Sequence, residues 1–345
     1  MGVGVVGLGF IGGVHVRAYH AAGAKLVAVC DPNGARLTGE TSGGGNLGSK
    51  GEDRLFDPAS VVATRDLDAM LAAEGLDLVS VCTPTDTHLD VAKAALAAGK
   101  HVLIEKPVAL CSRDVEEIDR AARDARRLAM PAMCMRFWPA WAWVKGAIDD
   151  GRYGALRAAR LERIGAPPSW NQAFYADLER SGGALFDLHV HDTDFIVHAL
   201  GVPDAVSAAG DERHLTTVYR YEDRAVDVSA EGGWMPSSAW QFRMRMRVTF
   251  ERAVVDFDLD QDPALRVYAD GGERLEPQLE PVDGWQAEIR ALVRAIGRGD
   301  PQPPATMASA AVSTRVLEAE RESLRSGGFV RPAHASKKEA TWSQT

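Results

Sequence analysis

The chain has 345 residues, 46% apolar and 25% charged, a globular composition too long for one ordinary core, so two domains are expected. Its 39 basic and 48 acidic residues leave a net charge of −9 with no basic tract, which argues against nucleic acid or an anionic membrane as partner. No apolar run is long enough to span a bilayer, no basic-then-apolar leader opens the chain, and Cys30, Cys82, Cys111 and Cys134 form no C-x-x-C, so a cytoplasmic protein with reduced thiols is expected.

Residues 3–6 read as a short buried strand that runs into Gly7-Leu8-Gly9-Phe10-Ile11-Gly12, and residues 14–22 read as a helix. A G-x-G-x-x-G between strand and helix is a dinucleotide-binding signature. Gly7 serves the tight turn, Gly9 lets backbone approach a pyrophosphate, and Gly12 lets helix pack on strand. Phe10 and Ile11 open the helix whose free N–H groups favour the phosphates. A second apolar run, 25–30, ends at Asp31, nineteen residues after Gly12, where a carboxylate can accept from an adenosine ribose. A turn-capping role before Pro32 is the alternative. An acid here favours NAD over NADP, and Arg36 reads as a solvated helix residue rather than a phosphate ligand.

Residues 39–57 are rich in glycine and charge and read as a mobile surface loop. A helix (66–73), a strand (76–82) ending at Thr83-Pro84, a helix (88–98) stopped by Gly99, a strand (101–104) followed by Glu105-Lys106-Pro107, and a charged amphipathic helix (114–128) follow. This alternation predicts an α/β fold with a doubly wound parallel sheet.

The second half changes character. A strand (156–164) and a helix (186–200) precede strands at 214–221, 225–231, 242–250 and 253–259, which predict a largely antiparallel, open-faced sheet. Residues 242–250 alternate strictly, with Arg243, Arg245 and Arg247 on one face. Such a face is expected to be solvated or to lie at a subunit contact rather than to bind an anion. Helices at 285–296 and 308–324 close the chain. The expected organisation is a cofactor domain (1–125), a substrate-binding and oligomerisation domain (126–328) and a frayed tail (329–345).

Three further patterns carry chemistry: Cys82-Thr83-Pro84-Thr85-Asp86-Thr87-His88 at a strand end, Gly99-Lys100-His101-Val102-Leu103-Ile104-Glu105-Lys106-Pro107, and the run from Gly182 to Asp194 holding Asp187, His189 and His191. With the opening glycines, in this order and spacing, the chain resembles the Gfo/Idh/MocA oxidoreductases over nearly its whole length. The resemblance implies an N-terminal Rossmann domain and a C-terminal α/β domain. It also implies NAD or NADP, of which Asp31 favours NAD, and a sugar or cyclitol substrate whose secondary alcohol is oxidised. The family's active-site lysine falls on Lys106, and its aspartate and histidine fall on Asp187 and His191. Gly7, Gly9, Gly12 and Asp31 would bind the dinucleotide, and Thr83, Pro84, His88 and Glu105 would line the nicotinamide side. A homodimer or homotetramer is implied as well.

These roles suit the residue types. An imidazole has a pKa suited to taking a hydroxyl proton. An ammonium can stabilise a developing alkoxide. Asp187, four residues before His191 on a helix, shares its face and can orient it or the substrate. The pair His189-x-His191 has metal-ligand spacing, but residues two apart on a helix diverge, so no metal is expected. Family members often carry a small residue at the position of His189, so this imidazole is expected to contact substrate or to act as a second proton-transfer group. Arg136, Trp170 and Asn171 are further candidates for substrate contact. The rings of Phe137, Trp138, Trp141 and Trp143, and of Phe174 and Tyr175, either stack on sugar faces or pack against one another. A redox-assisted lyase or glycosidase that recycles bound NAD, and a non-catalytic NAD-binding sensor, are the alternatives.

Overall fold

The computed structural model describes residues 1–40 and 54–333. In chain order they form β1 (Gly2–Val6), α1 (Phe10–Ala21), β2 (Lys25–Cys30), β3 (Val62–Thr64), α2 (Leu67–Leu71), β4 (Leu76–Val81), α3 (His88–Ala97), β5 (His101–Ile104), α4 (Ser112–Ala125) and β6 (Ala129–Pro131). Next come α5 (Pro139–Asp149), β7 (Leu156–Gly165), the short α6 (Gln172–Ala176) and α7 (Leu178–Ser181), and α8 (Val190–Leu200). The last part holds β8 (Ala205–Asp211), β9 (His214–Arg220), β10 (Asp227–Trp234), β11 (Arg243–Phe250), β12 (Ala253–Asp258), β13 (Leu265–Ala269), β14 (Arg274–Leu275), α9 (Gly284–Arg298) and α10 (Met307–Ser326). Among the described residues no helix is long and apolar enough to cross a membrane.

Two compact units are formed, one from 1–143, 167–182 and 279–310, the other from 144–166, 183–278 and the chain from 311 onward. This differs from two consecutive segments parting near residue 125: the chain returns to the first unit twice. The second return brings apolar residues that complete its core, such as Ile289 and Leu292 of α9, both fully buried.

The first unit is built on a six-stranded parallel sheet of order β3-β2-β1-β4-β5-β6. Its strands are continuous apolar runs because helices cover both faces of a parallel sheet. Val3, Val5, Val29, Leu78 and Leu103 are each 0% exposed, and each such burial contributes about 1.5–3 kcal/mol. The strand order reverses between β1 and β4, the switch point where ligands bind such sheets.

The second unit carries an eight-stranded sheet of order β14-β13-β12-β11-β7-β10-β9-β8. Its pairs are antiparallel except β7 with β10, which run parallel. The alternation in β11 holds: Met244, Met246, Val248 and Phe250 are at most 4% exposed. Arg245 meets Asp258 at 3.1 Å and Glu162 at 3.7 Å, and Arg247 meets Asp256 at 3.3 Å. These acids face Arg245 and Arg247 across the strands, while Arg243 lies over the Trp240 ring at 4.6 Å.

Two segments differ from expectation. Val330 exchanges 2.9 Å backbone hydrogen bonds with Val206, so chain order persists past the end of α10; the remainder of the expected tail, 334–345, lies outside the described residues. Most of the expected loop, 41–53, also lies outside them. Its flank is anchored, since Leu55 and Phe56 are buried and the Leu55 N–H donates to Gly39 O at 2.7 Å.

Candidate active site

The glycine turn follows β1 and opens α1. Gly7 has φ +89°, and a Cβ there would lie 2.5 Å from Cys82 O, so conformation and space both require glycine. A Cβ on Gly12 would lie 2.0 Å from Gly7 O, which is the close helix–strand packing the pattern predicts. Gly9 is different. A Cβ there would meet only Arg36 Nη1, at 3.9 Å, so no protein packing requires glycine at this position. The open space beside Gly9 and the lack of any side-chain cap on α1 are what a pyrophosphate cradle needs. The residues present therefore fit a dinucleotide.

Asp31 directly follows β2 and is 1% exposed. Its Oδ2 accepts from the Leu8 N–H at 2.7 Å and its Oδ1 from the Asn33 N–H at 2.8 Å. The carboxylate thus shapes the glycine turn. Arg36 is not simply solvated: its Nη1 lies 3.3 Å from Asp31 Oδ2.

Lys106 follows β5, is partly exposed, and is joined to Pro107 by a cis bond. Its backbone N–H donates to Glu105 Oε2 at 3.0 Å, and Glu105 Oε1 is 2.9 Å from His15 Nε2. Glu105 is 5% exposed, so it faces inward from beneath Lys106 rather than lining an open surface. His88 likewise differs from expectation: at 1% exposure it points inward. Its Nε2 faces Thr83 O at 2.8 Å, and its Nδ1 faces Pro107 O at 3.0 Å and Val108 O at 3.2 Å. The ring ties the turn after β4 to the turn after β5. Donating to carbonyls on both sides takes an imidazolium, whereas burial lowers the His88 pKa, so a neutral ring serves one side at a time. Thr83, partly exposed, and Pro84, exposed, are left on the outer side of the β4 turn.

Arg136 donates to Ser309 Oγ at 2.7 Å within the first unit. Trp170 is 37% exposed, with its ring 6.2 Å from Phe10 and 6.0 Å from Tyr175, and Asn171 beside it is exposed. Arg180 fastens the same stretch to Asp86 at 2.8 Å. The earlier aromatic group is mostly packing: Trp141 is fully buried, and Trp138 meets Trp285 edge-on at 5.8 Å.

In the second unit, the expected helix from 186 begins as one π-helical turn, Leu185–His189, before α8 continues. Gly182 and Gly183, with φ of 72° and 66°, set its start. π turns recur at functional sites because the wider turn re-aims side chains. Asp187 is 9% exposed and its Oδ2 accepts from Trp234 Nε1 at 3.2 Å, while His191 stays partly exposed.

His189 goes the other way. It is 0% exposed, with Nε2 3.1 Å from Tyr219 Oη and 3.2 Å from Glu320 Oε2. The expected substrate contact for His189 is therefore replaced by an interior one, because a fully buried ring cannot reach a sugar. The neighbouring residues anchor the same inner face: Asp192 pairs with Arg163 at 2.9 Å, Thr193 donates to Glu320 at 3.0 Å, and Ser313 donates to Asp194 at 2.7 Å. The space for the His189 ring comes from Gly232, where a Cβ would lie 2.6 Å from His189 Cβ. Gly232→Ala is expected to cost about 1–3 kcal/mol in wild type, and less in a His189→Gly background; chemical denaturation of the four proteins of the cycle measures the coupling. Nothing in the sequence marked Tyr219, Glu320 or Gly232, since their link to His189 spans distant strands and a helix.

A model of the oxidoreductase family with an NAD-binding Rossmann fold, GFO_IDH_MocA, matches residues 1–133, and the GFO/IDH/MocA C-terminal domain model matches residues 141–251. An inositol 2-dehydrogenase of Rhizobium meliloti is 33% identical over 201 residues, which is 57% of this chain and 54% of that protein, about half its length. Myo-inositol 2-dehydrogenase of Thermotoga maritima is 28% identical over 321 residues, 87% of this chain and 90% of that protein. The fold is like that of a levoglucosan dehydrogenase solved in complex with NADH and levoglucosan: TM-score 0.80 at 19% identity, covering 97% of this chain and 100% of that one. The two family models between them take in most of both units, and the chain belongs to the NAD-binding Gfo/Idh/MocA oxidoreductases.

Proposed function

We propose that the chain oxidises a secondary alcohol of a sugar, glycoside or cyclitol with NAD. The observation that carries this reading is the π turn, which sends His189 inward and leaves His191 partly exposed, with Asp187 held by Trp234. Inositol dehydrogenases among the relatives support the substrate class. The nicotinamide, when bound, supplies the hydride acceptor.

The chain's own residues do the rest. His191 takes the hydroxyl proton on a ring nitrogen. Lys106 Nζ donates a hydrogen bond to the same oxygen and offsets its developing negative charge. Asp187 orients the substrate or the imidazole. Gly7, Gly9, Gly12 and the N–H groups opening α1 hold the pyrophosphate, and Asp31 selects the unmodified ribose over a 2′-phosphate. Thr83 and Pro84 flank the nicotinamide, and Arg136, Trp170 and Asn171 contact the substrate. The working form is a homodimer or homotetramer.

The test is nicotinamide absorbance over a panel of sugars, glycosides and inositols with NAD and NADP in parallel. NADH formation that disappears in Lys106→Ala and His191→Ala supports the reading; silence across the panel with NAD tightly bound overturns it in favour of a redox-assisted or sensing role. Asp31→Ala is expected to raise kcat/KM with NADP relative to NAD, because Arg36 is released from Asp31 and is free to meet a 2′-phosphate.

A further inference from the structure

α9 is amphipathic, capped by Asp283 through the Gln286 N–H at 2.7 Å, and its buried face carries Ile289, Leu292 and Ala295. Glu288 sits on that face at 0% exposure, and neither carboxylate oxygen has a hydrogen-bond partner. A carboxyl group placed this way is costly, and a buried polar group without partners calls for an explanation. One ligand atom each of Glu288, His15 and Glu105 lie within 4.8 Å of one another.

A line of short polar contacts leads to Glu105. Tyr19 Oη is 2.6 Å from Ser80 Oγ, Ser80 Oγ is 3.0 Å from His15 Nδ1, and His15 Nε2 is 2.9 Å from Glu105 Oε1. A neutral imidazole protonated on Nε2 satisfies every member: Tyr19 donates to Ser80, Ser80 to His15, and His15 to Glu105. Glu105 Oε2 takes the Lys106 backbone N–H at 3.0 Å. The chain of donors therefore ends on one carboxylate, and that carboxylate grips the residue placed at the substrate oxygen.

We propose that His15 and Glu288 are positioning residues for Lys106: His15 bonds the Glu105 carboxylate whose second oxygen takes the Lys106 backbone N–H, and Glu288 lies within 4.8 Å of both on the buried side. The inference rests on Lys106 acting at the substrate oxygen. Glu288 does its part as a neutral carboxyl that closes the cluster to water. Ionised, it would set a second negative charge against Glu105 with no donor to answer it. Burial, Glu105 and Asp283 all push its pKa well above the usual carboxyl range. The groups facing it are His15 and Tyr19 from α1, Cys82 after β4 and Glu105 after β5. Asp283 caps its own helix, and Arg136 lies in the segment packed on α9, with its guanidinium bonded to Ser309. Burial also raises the Tyr19 and Cys82 pKa values, so both stay neutral.

The test compares full-length Glu105→Gln, Glu288→Ala and Glu288→Gln. Glu105→Gln and Glu288→Ala are expected to lower kcat by about 10–100-fold, as loss of positioning does, with KM changed much less. Glu288→Gln, the isostere of the neutral acid, is expected to restore most of what alanine loses. The rate of reductive methylation of Lys106, read by peptide mass spectrometry, needs no sugar and is expected to change in the first two variants and not in the third. Because the folded-state pKa of Glu288 is raised, its stabilising share is full below the unfolded pKa and is lost as pH rises through the folded one. Wild-type Tm is therefore expected to fall relative to Glu288→Gln as pH rises.

Unchanged kcat and methylation in Glu105→Gln would reduce the cluster to packing and overturn the proposal. Glu288→Gln as damaging as alanine, with a metal found by elemental analysis of wild type alone, would overturn it in favour of a cation site. If no alcohol is oxidised the functional reading falls, while the methylation and Tm series still decide the cluster.

Discussion

Lys106→Ala is expected to lower kcat by about 10²–10³-fold, the usual cost of removing one group that stabilises a developing oxyanion. His191→Ala is expected to cost about 10²–10⁴-fold, the range of a positioned general base. With Lys106 and His191 proposed to act on one hydroxyl, the two losses are expected to be far from additive in the double variant. Steady-state kinetics of the four proteins measure the coupling. Fully additive losses would mean that the two side chains serve different groups, and the assignment of roles would have to change.

The glycines separate protein packing from ligand binding. Gly12→Ala forces a Cβ to within 2.0 Å of Gly7 O, a backbone atom that cannot swing away. It is expected to destabilise the first unit by about 3 kcal/mol, at the upper end of overpacking costs. Gly9→Ala meets nothing closer than 3.9 Å and is expected to leave Tm nearly unchanged while sharply weakening NAD binding. Thermal denaturation and NADH fluorescence titration on the same two proteins test the contrast. A large Tm loss in Gly9→Ala would show that the turn needs this glycine for itself, removing the main structural argument for the phosphate cradle.

Some of the candidate site was legible because its signals are local. The strand–glycines–helix run, Asp31 at the next strand end and the Glu105-Lys106-Pro107 turn each lie within a few residues of the element that positions them. Where contacts cross the chain, local reading placed residues without their partners. His189 was read by its spacing to His191, yet its environment is set by Tyr219, Glu320 and Gly232, which lie 30 or more residues away. The His88 ring likewise lies against the carbonyl of Pro107, which follows the next strand, as well as that of nearby Thr83.

Hydrophobic period and glycine placement were enough to establish a parallel sheet followed by a largely antiparallel one, since those patterns follow from which faces each strand buries. They were also enough to locate the glycine turn between β1 and α1, because Gly12 meets the backbone of Gly7 within that turn, whereas the close approach of Gly7 to Cys82 O comes from a distant strand end. Tertiary structure alone decided that α9 returns to the first unit and carries a carboxyl into its core, and that the helix holding His191 begins with a π turn. It also decided that His189 is fully buried while His191, two residues on, stays partly exposed. These outcomes depend on which distant surfaces remain to be covered and which buried polar groups must find partners, and neither demand is written in any local stretch of the chain.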